Sequence, residues 1–561
     1  MISNRLLILA MTAGLALSGC GGGGGGTNED STTTTTTTDA ANTTEDKTIT
    51  ITEDNQVESL GSAGTIHADI DMGSTPRDLY LVLSNSASSS ESATITHTAK
   101  VIPVEKTVKT LPVETSLQHK IIKTPEHIRA FNRDSLSQLQ VNSDRTAKSI
   151  SYTDPKKDVA GDTETFYLEA DTSQSTQATA RKVVTVSTAY GTKTLNVWVS
   201  DDSFDSGSGC SKSTCVTQEM VDEFAKTFLQ DGTDNDIYDW VTNIYGEEWG
   251  SDAAQKYSNL IPESNEITIL LTDIDNDDSA NGGVIGYFYA KDNFESSSVS
   301  GSNERIMFYA DSVMFANTDS GDYWQKELYS TLAHEFQHMI HYYRRSVISE
   351  VDTDTWMEEM MSETTEDLIA TKLDHIGPRG VDPSDGSAGD PENTNGRYPD
   401  FNSNNTLSLT TWSGSYGDYG KVSAFGAFLV RNYGGAQILH DIMFDTSHGD
   451  YRAVEAATGK SFSELLSAWG TAVILSDTID PDQDTPTYNT GDFIYDTYGN
   501  TNYALGSINC FNYDPQPTLK TSSGTVTAQG NYYYKIGEDL TGTISLDLDL
   551  NGYTEATLIA K

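Results

Sequence analysis

The chain has 561 residues, of which 36% are hydrophobic and a further 45 are glycine. This composition is close to that of globular proteins, so it argues against global disorder, and the length suffices for about three or four domains. The 35 basic and 82 acidic residues give a net charge of −47, which repels phosphate backbones and argues against nucleic-acid binding.

Residues 1–19 have the features of a bacterial lipoprotein signal peptide. The apolar run over residues 6–17 is too short to span a bilayer and has the length of a signal-peptide core. It ends in Leu-Ser-Gly-Cys20, which resembles a lipobox, so we expect a lipid anchor on Cys20 and a place in the bacterial cell envelope, on the periplasmic or the exterior side. The alternative is an ordinary signal peptide with a chance cysteine. Residues 20–47, rich in glycine and threonine, are predicted to form a flexible tether.

Residues 48–200 are predicted to form a β-rich N-terminal domain. Runs such as 48–52 and 194–200 are strand-like, and turn-forming clusters separate them, as in a β-sandwich. Residues 100–150 interrupt this pattern with nine Lys or Arg against five Asp or Glu. We interpret this basic stretch as a linker or insertion that docks on an acidic surface, and a propeptide is the alternative.

Residues 201–478 change to a pattern of long helices and are predicted to form the central domain. Residues 326–345 are the clearest helix, because apolar residues recur on one broad face. Residues 479–561 return to strand-like patterns and are predicted to form a small C-terminal β module. The chain is therefore predicted to be of the α+β class. Further predictions are helices at 356–370, 421–433 and 461–475 and strands at 267–271 and 305–309.

The remaining cysteines do not indicate a thiolate metal site, because no paired Cys-x-x-Cys motifs occur. Cys210 and Cys215 are close enough to form a small disulfide loop in an oxidising compartment. Cys510 is left over and is predicted to be a buried thiol.

The acidic loop 273–278 is a candidate Ca²⁺ site, because clustered carboxylates suit that ion. An EF-hand that starts at Asp273 needs glycine and glutamate where this chain has Asp278 and Val284. The sequence therefore favours a solvated acidic loop over Ca²⁺ binding.

The motif HEFQH, which runs from His334 to His338, is the strongest indication of function. On a helix, residues four apart lie on one face, so both imidazoles can bind one Zn²⁺ with Glu335 beside the open coordination position. The alternative is a helix whose histidines are hydrogen-bonded core residues. A metzincin-type third histidine is excluded, because that position holds Arg344 and the preceding glycine position holds His341. We interpret His341 as a residue that supports the structure or a metal ligand.

A carboxylate from the next predicted helix can complete the metal site. Within the segment WMEEMMSE, Glu359 and Glu363 lie four apart on one face. One can bind the metal while the other accepts the second ring N–H of a ligand histidine. From charge alone Glu358, Glu359 and Glu363 are all candidates, and a solvated acidic face is the alternative.

The HEFQH and WMEEMMSE segments together resemble the gluzincin metallopeptidases and are most similar to the hyicolysin family. The resemblance covers about residues 195–475 and implies a thermolysin-like zinc peptidase domain. It implies Glu359 as the third zinc ligand and Glu363 as the carboxylate that orients a histidine. The stretch that begins Tyr419-Gly-Lys resembles a gluzincin helix whose tyrosine donates to the oxyanion, which implies that role for Tyr419. Val422 departs from that pattern, where glycine is usual.

The sequence therefore predicts a secreted, lipid-anchored zinc endopeptidase that acts on proteins or peptides, with Glu335 as general base. An edge strand near the metal can pair with an extended substrate backbone, and residues 286–292 and 303–309 are both candidates. One alternative is a surface-binding adhesin whose peptidase-like domain no longer cuts, and another is a structural HEFQH helix without zinc. Endopeptidase activity is preferred because no amine-binding motif points to an exopeptidase. The oligomeric state is not predicted.

Overall fold

The computed structural model describes residues 44–99, 121–122, 124–139, 156–479 and 485–561. The predicted signal peptide, Cys20 and most of the predicted tether lie outside these residues. The strands in chain order are β1 (Thr44–Thr50), β2 (Gln56–Asp71), β3 (Arg77–Asn85), β4 (Glu91–His97), β5 (Ile121–Ile122), β6 (Thr163–Tyr167), β7 (Ser175–Thr188), β8 (Gly191–Ser200), β9 (Glu266–Thr272), β10 (Gly283–Val284), β11 (Gly286–Phe288), β12 (Ile306–Asp311), β13 (Ile494–Tyr498), β14 (Thr501–Leu505), β15 (Gly524–Val526), β16 (Gly530–Leu540) and β17 (Thr543–Ala560).

The helices lie mostly in the middle of the chain, as the apolar periodicity predicts. Among the described helices, none combines the length and the apolar composition needed to cross a membrane. In chain order the helices are α1 (Glu126–Gln138), α2 (Gln218–Phe228), α3 (Ile237–Tyr245), α4 (Asp252–Lys256), α5 (Ser312–Phe315), α6 (Tyr323–His341), α7 (Thr355–Ile369), α8 (Tyr398–Asn404), α9 (Tyr416–Asn432), α10 (Ala436–Met443), α11 (Tyr451–Thr458) and α12 (Phe462–Leu475), with a π-helical turn at Tyr342–Ser349 and short 3₁₀ turns at Ile274–Asn276, Ala290–Asn293 and Cys510–Asn512.

A six-stranded sheet supports the candidate site, with the strand order β11-β12-β9-β8-β7-β6. Strands β8, β9 and β12 run parallel, and β11 pairs antiparallel with β12 at the edge. The strands β9 and β12 are almost continuously apolar because elements cover both of their faces. In the described part of the chain β11 is an edge strand, so the backbone groups on its outer side need another partner.

The sheet corrects the predicted domain boundary at residue 200. Strands β6, β7 and β8, which the sequence assigned to an N-terminal domain, pair with β9 and belong to the same sheet as β11 and β12. A strand pattern shows which residues face the core but carries no information about the neighbouring strand. The sequence pattern therefore places the boundary where strand-like residues give way to helices, although the strand pairing continues past it.

A second, seven-stranded sheet joins the two ends of the described chain. Strand β1 pairs with β2, while β2, β3 and β4 pair with strands from the C-terminal end. Strand β17 contacts β2 along its length, β4 with its first half and β3 with its second half. Its apolar core includes Leu60, Ile66, Leu81, Leu546 and Leu558. The sequence predicted separate N-terminal and C-terminal β modules, and the structure shows that their strands form one unit.

The helix α6 is buried on nearly all sides, although the sequence predicts one apolar face. It packs against β11, α3 and α7, and its polar residues, including His334 and Glu335, are as buried as Phe336 and Ile340. A helix of this kind belongs to the interior of a protein. Its polar side faces other protein groups instead of water, which creates the candidate site.

The helix α9 begins earlier than the sequence predicts and comes close to α7. Ser415 accepts from the backbone N–H of Asp418, and the Asp418 side chain accepts from the N–H of Ser415, which is a capping box. A Cβ atom at position 426 would overlap the hydroxyl of Thr364, so only Gly426 allows this approach. Both features place Tyr419, in the first turns of α9, beside α7.

Candidate metal centre

Helices α6 and α7 bring three metal-ligand side chains together. The Nε2 atom of His334 lies 3.4 Å from Oε2 of Glu359, and Nε2 of His338 lies 3.8 Å from the same oxygen. All three residues are buried, and their ligand atoms lie within 4.8 Å of one another. The four-residue spacing of the histidines places both rings on the side of α6 that faces Glu359.

These three residues fit a metal ion. In a tetrahedral zinc site with bonds of roughly 2.0–2.2 Å, neighbouring ligand atoms lie roughly 3.3–3.6 Å apart, close to the two measured distances. The Oε2 atom of Glu359 is buried and has no hydrogen-bond partner within the described part of the chain. A buried carboxylate oxygen without a partner is costly, and a bound cation removes that cost.

Carboxylates on α7 hold both histidine rings in this orientation. The Nδ1–H of His334 donates to Oε1 of Glu366 at 2.7 Å, and the Nδ1–H of His338 donates to Oε1 of Glu358 at 3.0 Å. These carboxylates assign the ring proton to Nδ1, because they can only accept. Each Nε2 lone pair is then left to bind a metal.

The carboxylate of Glu363 lies in one buried cluster with His334 and Glu366, and Arg397 holds it there. The guanidinium of Arg397 donates to both carboxylate oxygens of Glu363, at 2.8 and 2.9 Å, in a buried ion pair. Glu366, one turn further along α7, accepts from Nδ1 of His334. Residues three apart share a helix face, so the periodicity of α7 could not separate the two carboxylates. The difference is made by Arg397, which is distant in sequence.

The electrostatics of the three residues favour cation binding. Burial raises the pKa of Glu359, but the neighbouring His334 and His338 outweigh burial and hold the pKa of this carboxyl well below its usual range. Burial lowers the pKa of His338, yet its contacts with Glu358 and Glu359 raise the pKa well above the usual value. The carboxylate of Glu359 therefore stays ionised between the two imidazoles, which suits a bound cation.

Glu335 lies beside this cluster and is held by two hydrogen bonds. The backbone N–H of Phe288, on β11, donates to Oε2 at 2.9 Å, and the hydroxyl of Thr124 donates to Oε1 at 3.0 Å. The residue is buried. The side chain is thus fixed between α6 and the edge strand, next to the position where the metal ligands converge.

Tyr419 lies on the other side of Glu359, and Arg129 connects the two. The Nη1 atom of Arg129 donates to Oε1 of Glu359 and to the hydroxyl of Tyr419, both at 2.9 Å. Burial and the charge of Glu359 raise the pKa of Tyr419 well above its usual value, so the phenol keeps its proton. The ring is held by Trp412, in edge contact at 5.0 Å between centroids, and by the guanidinium of Arg397, 5.4 Å from the ring centre.

Comparison with known proteins identifies the family. A family model described as Peptidase M30 matches residues 172–508, which is more than half of the chain. The chain belongs to the Peptidase M30 family. This agrees with the resemblance to the hyicolysin family that the sequence motifs carry. The matched range also contains β7 and β8, as the six-stranded sheet requires.

A curated relative of this Peptidase M30 family member is also similar over part of the chain. It is the neutral metalloprotease ShpI of Staphylococcus hyicus, which is 28% identical over 190 residues. The match covers 33% of this chain and 36% of the relative. The chain therefore spans about a third of the length of this relative.

The structure also shows the surroundings of the other residues that the sequence singled out in this Peptidase M30 chain, namely the cysteines, the acidic loop and His341. A disulfide joins Cys210 and Cys215, and Cys510 is a buried free thiol whose pKa burial raises to about 12. In the acidic loop, the ammonium of Lys212 lies 2.6 Å from Asp273, so the positive charge there comes from a lysine. The His341 ring lies 3.4 Å from Glu358 and shares that carboxylate with His338.

Sequence reasoning missed Glu366, Arg397, Arg129 and Thr124. The only sequence signal for Glu366 is its spacing of seven from Glu359, which places both on one face of α7. Arg129 and Thr124 lie in the basic stretch 100–150, which was predicted only to dock on an acidic surface. Their contacts with Glu359 and Glu335 show which acidic groups that stretch meets.

We expect Glu366→Gln to change mainly zinc affinity and Glu363→Gln to change mainly the stability of the fold. Glu366→Gln should weaken zinc binding about 10- to 100-fold, because it alters the partner of a ligand histidine. Glu363→Gln should lower the free energy of unfolding by about 3–5 kcal/mol, because it leaves Arg397 buried without its counter-charge. Zinc titration and thermal unfolding of both variants measure the two effects. Weaker zinc binding confined to Glu363→Gln would return the orienting role to Glu363.

Proposed function

We propose that this Peptidase M30 family member is a zinc-dependent endopeptidase that hydrolyses peptide bonds of proteins. The observation that carries the proposal is the convergence of His334, His338 and the unpartnered Oε2 of Glu359 on one point, with Glu335 beside it. Three protein ligands with a position left for water are the donor set of catalytic zinc sites. The family match and the similarity to a neutral metalloprotease support the same activity.

The residues around the site have separate tasks in this mechanism. Zinc held by His334, His338 and Glu359 would supply Lewis-acid activation of a water molecule and of the scissile carbonyl. Glu335 accepts the proton from the attacking water and delivers it to the leaving amine. Tyr419 keeps its phenol proton near neutral pH and donates it in a hydrogen bond to the developing oxyanion.

We further propose that β11 holds the substrate backbone. Of the two candidate strands, β12 lies inside the six-stranded sheet and β11 at its edge, where unpaired backbone groups can bind an extended peptide. The N–H of Phe288 on this strand donates to Glu335. A peptide bound along the strand would therefore lie next to the proposed general base. An internal peptide bond can lie along such an open edge, which supports endopeptidase activity.

The proposal includes a lipid anchor on Cys20, which would tether the enzyme to the bacterial cell envelope after removal of the signal peptide. The support is the lipobox-like sequence and the Gly- and Thr-rich tether behind it. Labelling with a radioactive fatty acid, lost in Cys20→Ser, tests this part independently of catalysis.

Metal removal tests the proposed activity. We expect one zinc per chain in residues 27–561 by elemental analysis, and cleavage of a fluorogenic casein that phenanthroline abolishes and added zinc restores. If elemental analysis found no zinc in the protein, the proposal would be contradicted and the HEFQH helix would have only a structural role. One zinc per chain without cleavage, in the native chain and in the Arg129→Ala variant described below, would support the surface-binding alternative.

A further inference from the structure

The site is covered by a segment of the same chain. Residues 121–122 and 124–139, which we call the covering segment, follow the edge of the six-stranded sheet and end in the helix α1. The strand β5 at its start pairs in parallel with β10, immediately before the edge strand β11. The inference drawn from this segment rests on the proposed peptidase function and concerns its regulation.

The covering segment binds the residues proposed to do the chemistry. Thr124 donates to Oε1 of Glu335, whose other oxygen already accepts from Phe288, so both oxygens of the general base are occupied. Arg129 donates to Oε1 of Glu359 and to the hydroxyl of Tyr419, and its Nη2 atom donates to the carbonyl of Thr124 at 2.6 Å. The guanidinium therefore lies between Glu359, a proposed metal ligand, and the hydroxyl of Tyr419, which a substrate carbonyl needs to approach.

The covering segment also occupies the outer edge of the proposed substrate strand. The side-chain amide of Asn132 donates to the carbonyl of Phe288 at 2.9 Å and accepts from the N–H of Ala290 at 2.8 Å. One residue of a parallel neighbouring strand would make the same two hydrogen bonds through its own N–H and C=O. Asn132 thus takes the place of one residue of substrate backbone.

Little room for a substrate is left beneath the covering segment. The cavity that Thr124 and Asn132 line together with Glu335 and His338 has a volume of about 40 Å³. Ligand sites typically measure roughly 300–1,000 Å³, so a peptide cannot enter while the segment is in place. The metal-facing oxygen of Glu359, Oε2, makes no contact with Arg129, so zinc binding and coverage are compatible.

We propose that the covering segment is an internal inhibitor that keeps the peptidase latent until it leaves the site. Arg129 is its main attachment, because it is an almost buried cation that joins Glu359, Tyr419 and the segment's own backbone. Thr124 blocks the general base and Asn132 blocks the substrate strand. A peptide substrate and this segment compete for the same groups, so only one can be bound at a time.

Substitutions in the full-length, zinc-loaded protein distinguish an inhibitor from a part of the catalytic machinery. Arg129→Ala and Asn132→Ala should each raise kcat/KM for a fluorogenic casein about tenfold or more, since a charged hydrogen bond shifts an equilibrium by roughly that factor. The matched control is Ser137→Ala, which changes the same helix at an exposed hydroxyl that donates to the backbone carbonyl of Asp134. The control should stay within about twofold of the native chain.

A binding measurement gives a second readout that does not depend on turnover. A fluorescent peptide hydroxamate should bind the zinc-loaded Arg129→Ala and Asn132→Ala variants about tenfold tighter than the native chain and Ser137→Ala. Equal hydroxamate affinity in all four proteins, or lower kcat/KM in Arg129→Ala than in the native chain, would overturn the inference and make Arg129 a residue that serves catalysis or structure. Zinc content is measured first on every protein, so failure of the proposed metal site is recognised separately.

Discussion

Glu335→Gln is expected to abolish peptide-bond hydrolysis while the protein still binds one zinc per chain. A carboxamide cannot accept the proton of the attacking water, and loss of a general base typically costs about 100- to 10,000-fold in rate. The side chain is isosteric, and Glu335 is not among the three residues that converge on the metal position. The measurement is kcat/KM on a fluorogenic casein together with zinc content of the same sample.

The control for this variant is Glu327→Gln on the same helix. Glu327 is a buried glutamate that contacts His375 at 3.0 Å and lies two helical turns before His334 on α6. It should keep kcat/KM within a few fold of the native value. Cleavage by Glu335→Gln at the native rate would show that another group takes the proton and would contradict the proposed mechanism.

Glu359→Gln is expected to remove the zinc itself. The charged oxygen that faces both histidines becomes part of a neutral amide, and the site loses one of its three ligands, so zinc affinity should fall about 100-fold or more. Stoichiometric zinc should then be lost on dialysis, and activity with it. Competition against a chromophoric chelator measures the affinity directly.

Its neighbour Glu358 provides the matched comparison, because sequence alone left both as candidate ligands. In the structure Glu358 contacts Nδ1 of His338, whereas Glu359 faces the Nε2 atoms of His334 and His338. Glu358→Gln should therefore weaken zinc binding by about 10- to 100-fold and keep a measurable site. The opposite order, with zinc lost in Glu358→Gln and retained in Glu359→Gln, would exchange the two roles.

Local patterns predicted several helices of this protein and the two histidines that α6 places on one face. Apolar periodicity located α6, α7 and α12, and the four-residue spacing of His334 and His338 brought both histidines to one face. The carboxylate that completes the metal site could not be predicted from these patterns, because Glu358, Glu359 and Glu363 have the same charge and lie on the same helix. Only the resemblance to a family selected Glu359 from the sequence.

Contacts between distant parts of the chain could not be predicted in this way. Glu366 accepts from Nδ1 of His334 and Glu363 accepts from Arg397, which comes from a loop that helical spacing does not include. The placement of Arg129 on Glu359 joins residues 230 positions apart, and its charge predicted only an acidic partner. The pairing of β2 with β17 could not be predicted for the same reason, because an alternating strand pattern is compatible with any neighbouring strand.

The pairing of β2 with β17 has a consequence for biogenesis. His67 and Asp547 on these strands are hydrogen-bonded across 480 positions of sequence, so β2 can pair with β17 only after almost the whole chain has been synthesised. Closing such a long loop is entropically unfavourable, and contacts of this range form late in folding. Until then β2 and β3 present unpaired edges, on which other chains can add. We therefore expect this sheet to be the last part of the protein to become protease-resistant during refolding.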